Sequence, residues 1–327
     1  MSSSPETLGR CLRTGIHHRW TLPGGPLGAG PAPSAVFCLN GIGLDLEGFW
    51  AAIQGLEPLP HSYPYRHGYH VALTVPGFEN GEDRVPGPPL SMVEQAGRVA
   101  AFLEHFIAEH PVLEVVLYGF SFGSDLAVEV LSRLGAAIPL VRVVLAELNV
   151  HANSCFITSR IKASFDAARG QGSSRNREAY NGFVSRVVRA SAEGNLGEGL
   201  MEDMALYFRV IADKDWAQLA LSAAEASEDP EARLAKLLGH TPERPGTRFD
   251  LVFSDPQDLR ILLRRLETWG GPLGRIRVFD ATAHAHFHHM SRKGLLENLC
   301  ATLPEAWAST VALGGRTDTH QRLQFRP

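Results

Sequence analysis

The stretch Val115–Gly123, with the sequence Val-Val-Leu-Tyr-Gly-Phe-Ser-Phe-Gly, decides the fold of this chain. Its apolar first half predicts a buried β-strand, and the apolar spacing over residues 125–134 predicts a helix directly after it. Between the two lies Gly-x-Ser-x-Gly, the pattern of a nucleophile elbow, in which Ser121 sits on a sharp strand-to-helix turn. The glycines are needed because the strand and the helix pass too close to leave room for side chains.

Composition is that of an ordinary soluble globular protein. The chain has 327 residues, 44% hydrophobic and 20% charged, so it can bury a large core as one or two domains. A net charge of -4 provides no basic stripe, and we expect no nucleic-acid partner. No stretch approaches the roughly 20 apolar residues of a membrane span, and residues 1–19 lack the apolar region of a secretory signal. We therefore expect a cytoplasmic protein with reduced cysteines.

The order of strands and helices predicts a mostly parallel, doubly wound α/β sheet. Runs that are apolar on both faces predict six buried strands: Ala35–Leu39, His70–Val75, Leu113–Leu117, Leu140–Leu148, Phe249–Phe253 and Arg275–Phe279. Helical patterns separate them. One helix is expected to start at Ser91, where Ser-x-x-Glu forms a capping box, and the last helix is expected over Leu295–Trp307. Strand alternating with helix implies right-handed crossovers, with helices on both faces of the sheet.

The alternation breaks over residues 151–246, which contain helical segments and no convincing strand. An all-helical insertion between two α/β stretches is interpreted as a cap over the active site. The predicted organisation is an N-terminal segment that includes a possible edge hairpin (1–33), the first half of the core (34–150), the helical cap (151–246), the second half of the core (247–309) and a flexible tail (310–327).

With this order in place, the chain resembles the α/β-hydrolase superfamily over about residues 34–307. The resemblance implies a catalytic triad of serine, acid and histidine in that chain order. Ser121 matches the nucleophile. Because a serine hydroxyl is a weak nucleophile alone, a histidine must take its proton and an acid must orient that histidine.

The resemblance places the histidine just after the last strand, where residues 283–289 read Ala-His-Ala-His-Phe-His-His. We select His286, because family members often have an aromatic residue directly after the catalytic histidine and Phe287 supplies it. His284 is the alternative. A histidine-rich tract can also bind a metal, but no cysteine or carboxylate is spaced nearby to complete such a site. We therefore expect no metal and no other cofactor.

The acid is expected to follow the fifth predicted strand, where Asp255 and Asp258 both qualify. Family members commonly place the acid a little under thirty residues before the histidine, and Asp258 precedes His286 by 28 positions. Asp255 with His284 is the competing pair. Either aspartate can also cap the following helix. Glu147, at the end of the strand after the elbow helix, is a third candidate.

An oxyanion hole needs two backbone N–H groups that point at the developing negative charge. The resemblance assigns one to Phe122, directly after the nucleophile. It assigns the other to Ile42, because Asn40-Gly41 stands where relatives often carry His-Gly.

The resemblance implies a serine hydrolase, of the esterase or thioesterase type, that acts on a small-molecule acyl substrate. The substrate would be a carboxylic ester or thioester with an apolar part, cleaved through an acyl-enzyme. A C–C bond or amide hydrolase on the same fold and a non-catalytic ligand-binding protein are the alternatives, because a fold alone does not fix a function. The sequence does not indicate an oligomeric state.

Overall fold

A mixed sheet of nine strands forms the centre of the protein. The structure is a computed structural model, and it describes residues 6–22, 32–54, 63–79, 87–193, 200–269, 275–300 and 305–307. The strands are β1 (Glu6–Arg10), β2 (His17–Thr21), β3 (Ala32–Leu39), β4 (Tyr69–Leu73), β5 (Val112–Phe120), β6 (Leu140–Ala146), β7 (Arg248–Phe253), β8 (Ile276–Asp280) and β9 (Glu305–Trp307). Their order across the sheet is β1-β2-β4-β3-β5-β6-β7-β8-β9.

The six central strands, from β4 to β8 in that order, are parallel to their neighbours. Antiparallel pairing is confined to the edges, where β1 and β2 form a hairpin against β4 and where β9 pairs with β8. This arrangement confirms the predicted mostly parallel sheet. Parallel strands bring their carboxyl ends to one edge, so the loops after β3, β5, β6, β7 and β8 meet there.

Ten helices lie in the described residues: α1 (Leu46–Gln54), α2 (Met92–Glu109), α3 (Phe122–Leu131), α4 (Phe156–Ala167), α5 (Arg175–Ala192), α6 (Leu200–Ile211), α7 (Trp216–Glu228), α8 (Pro230–Glu243), α9 (Pro256–Thr268) and α10 (Arg292–Cys300). The capping box of α2 is confirmed. The Ser91 hydroxyl accepts a hydrogen bond from the Glu94 amide, and the Glu94 carboxylate accepts one from the Ser91 amide.

Both faces of the central strands are buried, which explains why their sequences are continuously apolar. On one face, Phe37 of β3 packs edge-to-face against Phe102 and Phe106 of α2, with ring centroids 6.4 and 5.4 Å away. Each such buried side chain contributes about 1.5–3 kcal/mol through removal of its surface from water.

The predicted last helix over Leu295–Trp307 is wrong in its second half. Helix α10 ends at Cys300, and Glu305–Trp307 is the edge strand β9. The sequence has a proline at position 304, and proline cannot continue a helix because it lacks the N–H donor. The predicted tail over residues 310–327 lies outside the described residues.

Five helices, α4 to α8, follow one another between β6 and β7, and the described residues of this insertion contain no strand. A buried ion pair attaches it to the core. Arg233 of α8 lies 3.4 Å from Asp125 in the first turn of α3, and the Tyr207 hydroxyl of α6 donates a 2.8 Å hydrogen bond to the Ile42 carbonyl. The cap boundaries at residues 151 and 246 stay a prediction.

Among the described residues, no helix combines the length and apolar character needed to cross a membrane.

Candidate active site

Ser121 occupies the turn between β5 and α3 in a strained backbone conformation. Its φ of 51° and ψ of -121° are uncommon for a residue with a side chain. A Cβ atom on Gly119 would lie 2.6 Å from the Gly123 carbonyl oxygen, and one on Gly123 would lie 2.2 Å from the Leu39 carbonyl oxygen. Both glycines are therefore required for the strand and the helix to approach each other.

Ser121 lines a cavity of about 380 Å³ at the carboxyl edge of the sheet. Its hydroxyl makes no capping hydrogen bond to α3, and its backbone carbonyl accepts the first helical bonds, from the Ser124 and Asp125 amides at 2.7 and 3.2 Å. The hydroxyl is thus not held by the helix that follows it. It lines the cavity together with the loops after β6, β7 and β8.

His286 lines the same cavity. It begins a short 3-10 turn, His286–Met290, after β8, and its ring packs against Phe120 with centroids 5.2 Å apart. Its Nδ1 atom lies 3.5 Å from the Glu147 Oε2 atom. Within the described residues no hydrogen bond joins His286 to Ser121, so a proton transfer between them requires the ring to come within hydrogen-bond reach of the hydroxyl, directly or through one water.

Glu147 is the carboxylate beside His286. It follows β6 with a φ of 57° and is 5% exposed. Its Oε1 atom accepts hydrogen bonds from the Ser254 amide at 2.6 Å and from Nε2 of His289 at 2.8 Å. Burial alone would raise the pKa of Glu147, but the hydrogen bonds and charges of His286 and His289 outweigh it and hold that pKa well below its usual range. Glu147 is therefore ionised at neutral pH.

His289 is fully buried and is hydrogen-bonded to the Glu147 carboxylate. The Asn298 side-chain amide lies 3.2 Å from Nδ1 of His289 and donates to it, which places the ring proton on Nε2, the atom that faces Glu147. The Tyr118 hydroxyl donates to the His289 carbonyl at 2.9 Å. This chain of bonds fixes the position of the glutamate.

Asp258, the acid preferred from sequence, lies in the same cavity but contacts a different histidine. Its Oδ1 atom is 2.6 Å from Nε2 of His151. No ion pair joins it to His286 among the described residues. Asp255, the other aspartate considered, caps α9 by accepting bonds from the Gln257 and Asp258 amides. The catalytic assignment of Asp258 stays a prediction, and Glu147 is the acid in direct contact with His286.

The alternative base, His284, lines the cavity but faces Glu297 of α10. Nε2 of His284 and Nε2 of His288 lie 3.6 and 2.7 Å from Glu297 Oε2. The expectation that no carboxylate accompanies the histidine tract is therefore wrong, and sequence spacing missed Glu297 because it lies on the next helix. One possible ligand atom of each of the three side chains lies within 4.8 Å of the others, which is close enough for a shared metal ion. However, the two imidazole rings are stacked at 4.1 Å and nearly parallel, so their lone pairs do not converge on one ion.

The loop after β3 lies directly beside the elbow. Leu39 of β3 is paired with Gly119 of β5, and the Cβ position of Gly123 is only 2.6 Å from the Asn40 carbonyl oxygen. Phe122 supplies the first amide of α3, next to Ser121. Ile42 follows in the adjacent loop, and its amide as the second oxyanion donor stays a prediction.

Most residues that line the cavity are polar in type, but apolar atoms make up the larger part of its surface. Its apolar lining residues are Phe156, Ile157, Pro256 and Ala285, and the other lining residues carry hydroxyl, amide, imidazole or carboxylate groups. No lysine or arginine is among the described lining residues.

Comparison of the sequence with protein-family models and with curated proteins gave no match. Solved structures do match. MenH from S. aureus is 12% identical, with a TM-score of 0.57 over 88% of this chain and 97% of that chain. An α/β hydrolase from Sphaerobacter thermophilus is 14% identical, with a TM-score of 0.56 over 90% and 99%. A 1H-3-hydroxy-4-oxoquinoline 2,4-dioxygenase is 15% identical, with a TM-score of 0.58 over 91% and 96%.

At these identities the comparisons establish the fold and not the reaction, and the matched structures themselves include both a hydrolase and a dioxygenase. They cover about nine-tenths of the chain. The protein has the α/β-hydrolase fold, with a helical insertion between β6 and β7.

Proposed function

We propose that the protein is a serine hydrolase in which Ser121 is the nucleophile, His286 the base and Glu147 the acid. One observation supports this assignment above the others: the elbow presents Ser121 to a cavity that His286 also lines, and Nδ1 of His286 faces a buried, ionised glutamate. A histidine that donates its Nδ1 proton to a carboxylate keeps Nε2 free to accept the proton of a serine.

In the proposed reaction, Ser121 Oγ attacks the carbonyl carbon of an acyl substrate while its proton passes to Nε2 of His286. The Glu147 carboxylate stabilises the imidazolium that forms. The amides of Phe122 and Ile42 are proposed to bind the oxyanion. His286 then gives the proton to the leaving group, and the C–O or C–S bond breaks. Water, activated by the same histidine, hydrolyses the acyl-enzyme and releases the acid.

Glu147 is preferred over Asp258 as the acid for a physical reason. To stabilise an imidazolium, the acid must be charged at the working pH and must contact the ring. Glu147 meets both conditions. For Asp258, burial together with the neighbouring carboxylates of Asp255 and Glu147 raises the pKa to about 7, so it is ionised only in part near neutral pH.

The proposed substrate class is a carboxylic ester or thioester. The cavity of about 380 Å³ is at the small end of ligand-binding pockets. Its small volume favours a compact acyl substrate, and the apolar residues Phe156 and Ile157 beside its polar groups suit an ester or thioester with an apolar part.

Hydrolysis of 4-nitrophenyl acetate tests the proposal. We expect turnover by the wild-type protein and a loss of about 10³-fold or more in Ser121→Ala, because the covalent intermediate cannot form. Ser159→Ala is the matched control, since Ser159 is an exposed serine of α4 that does not line the cavity, and it should hydrolyse the ester at the wild-type rate. Absence of turnover by the wild type, or equal turnover by Ser121→Ala, would contradict the proposal.

A further inference from the structure

A second histidine–carboxylate pair, His151 with Asp258, lines the cavity that contains Ser121. The catalytic assignment proposed above does not use it. We propose that Asp258, supported by His151, forms a subsite for a positively charged group of the substrate, such as a primary ammonium. This inference rests on the proposed hydrolase function, to which it adds a substrate class.

The first argument is the state of the pair itself. Nδ1 of His151 accepts a hydrogen bond from the Asn153 amide at 3.1 Å, so the proton of the neutral ring is on Nε2. Nε2 lies 2.6 Å from Asp258 Oδ1, yet it is buried without a hydrogen bond of acceptable geometry. His151 therefore contacts the aspartate closely but leaves hydrogen-bonding capacity of the Asp258 carboxylate unused.

The second argument is that the Asp258 carboxylate needs a donor. Asp258 is 7% exposed; Nε2 of His151 lies beside its Oδ1 atom without hydrogen-bond geometry, and no described residue donates a well-formed hydrogen bond to the carboxylate. A buried carboxylate whose hydrogen bonds are incomplete is costly, and the cost falls when a bound group supplies N–H donors or a positive charge. The part of this carboxylate that is still accessible faces the cavity.

The third argument is the balance of charge in the cavity. The described lining contains three carboxylates, Glu147, Asp255 and Asp258, and three imidazoles, His151, His284 and His286, but no permanent cation, since lysine and arginine are absent from it. Glu147 is bound to His286, His289 and Ser254, and Asp255 caps α9, so Asp258 is the carboxylate available to a ligand. Concentration of one sign of charge in a partly enclosed cleft attracts the opposite charge and repels its own. Anionic acyl substrates are thus disfavoured.

Three acetate esters of phenols that differ only in the 4-substituent test the subsite: 4-(aminomethyl)phenyl acetate, 4-(hydroxymethyl)phenyl acetate and 4-ethylphenyl acetate. At pH 7.5 the first carries an ammonium, the second a neutral hydroxyl donor and the third neither. We expect the wild type to prefer the ammonium ester over the ethyl ester by about tenfold in kcat/KM, and Asp258→Asn to bring that ratio close to one. A tenfold ratio corresponds to about 1.4 kcal/mol.

Asp166→Asn is the matched control, because it removes a half-exposed carboxylate of α4 that pairs with Lys162 and does not line the cavity; it should keep the wild-type ratio. Equal rates for the ammonium and ethyl esters in the wild type, or an unchanged preference in Asp258→Asn, would overturn the proposal. Equal rates for the ammonium and hydroxyl esters would also overturn it, since the subsite would then bind neutral donors.

A binding experiment shows whether a negative result contradicts the subsite proposal or the hydrolase assignment. Calorimetry with Ser121→Ala compares benzylammonium with benzyl alcohol and needs no catalysis. We expect tighter binding of benzylammonium, with the difference lost in Ser121→Ala/Asp258→Asn. If the wild type cleaves no ester but this difference is present, only the hydrolase assignment fails. If benzylammonium binds no better than benzyl alcohol, the subsite proposal fails whatever the esterase result.

Discussion

Backbone strain at single residues marks the proposed catalytic group. Among the described residues, the only non-glycine residues with positive φ are Ser121 and Glu147. Each such conformation costs on the order of 1–3 kcal/mol and persists only where the surrounding structure imposes it. That the two strained residues are the proposed nucleophile and the proposed acid supports the view that both side chains are held for a chemical purpose.

At the same scale, Glu147→Gln should separate the two candidate acids. The amide keeps the shape and can still accept from Ser254 and His289, but it cannot stabilise an imidazolium at His286. We expect kcat for 4-nitrophenyl acetate to fall by about 10³- to 10⁴-fold. Asp258→Asn should lower it by less than about tenfold, because Asp258 does not contact His286.

Circular dichroism melting provides the control, because the glutamine variant must be folded for its kinetics to be informative. Glu178→Gln, an exposed glutamate of α5, should match the wild type in both measurements. If Asp258→Asn is the more damaging of the two active-site variants, Asp258 and not Glu147 orients the base.

Asp258→Asn should also stabilise the protein at alkaline pH. The pKa of Asp258 rises from 3.8 to about 7 on folding, mainly through burial. An acid with a raised pKa favours the folded state below pH 3.8 and loses that contribution progressively as the pH rises to about 7. Removal of the charge should therefore raise the free energy of unfolding by about 1–3 kcal/mol at pH 8 and by little at pH 4. Urea titrations at the two pH values measure this; equal effects at both would contradict the charged, buried state of Asp258.

At the scale of elements, the elbow depends on direct contact between α3 and the end of β3. Gly123→Ala should be severely destabilising, because its Cβ would lie 2.2 Å from the Leu39 carbonyl oxygen and backbone atoms cannot move aside easily. We expect a loss of about 3 kcal/mol or more in the free energy of unfolding, or no folded protein.

Gly97→Ala in α2 is the matched control, since its Cβ would meet no atom within 4 Å. It should raise stability by about 0.5–1 kcal/mol, because alanine has less conformational freedom to lose in a helix. Chemical denaturation of both variants tests the contrast. A Gly123→Ala protein as stable as the wild type would show that β3 and the elbow helix are farther apart than described.

The elements themselves were predictable where the deciding signal is local. The six buried strands, the capping box at Ser91 and the turn at Ser121 follow from apolar runs and short spacings. The partner of His286 was not predictable in this way, because Glu147 and His286 are distant in sequence and meet only when β6, β7 and β8 align at one edge of the sheet. Spacing along the chain favoured Asp258, but spacing does not determine which carboxylate faces the ring. Edge strand β9 was missed because three residues carry too little pattern to be recognised.

At the scale of the whole molecule, the insertion is joined to the nucleophile elbow through Asp125 and Arg233. Asp125 is fully buried, and burial raises its pKa to about 6 even though Arg233 and Asn149 favour the charged form. The guanidinium also donates to the Ala226 and Glu225 carbonyls at the end of α7 at 3.0 and 2.9 Å. One side chain therefore connects two helices of the insertion to the first turn of α3.

Arg233→Met should cost about 3–5 kcal/mol at pH 8, because it leaves the Asp125 carboxylate buried and unpaired. The loss should be smaller at pH 5, since the aspartate can then bind a proton. Urea unfolding at the two pH values measures the effect. Asp125→Asn/Arg233→Met should recover part of the stability at pH 8, and a double variant no more stable than Arg233→Met would show that the ion pair is not the link.

The most direct measurement of the central claim is the site at which a fluorophosphonate probe attaches to the intact protein, located by mass spectrometry of proteolytic peptides. Such a probe reacts with a serine whose hydroxyl is activated by a neighbouring base. The account predicts a single adduct, on Ser121, whose formation slows strongly in Glu147→Gln. A protein that stays unlabelled, or that carries the adduct on another residue, would contradict it.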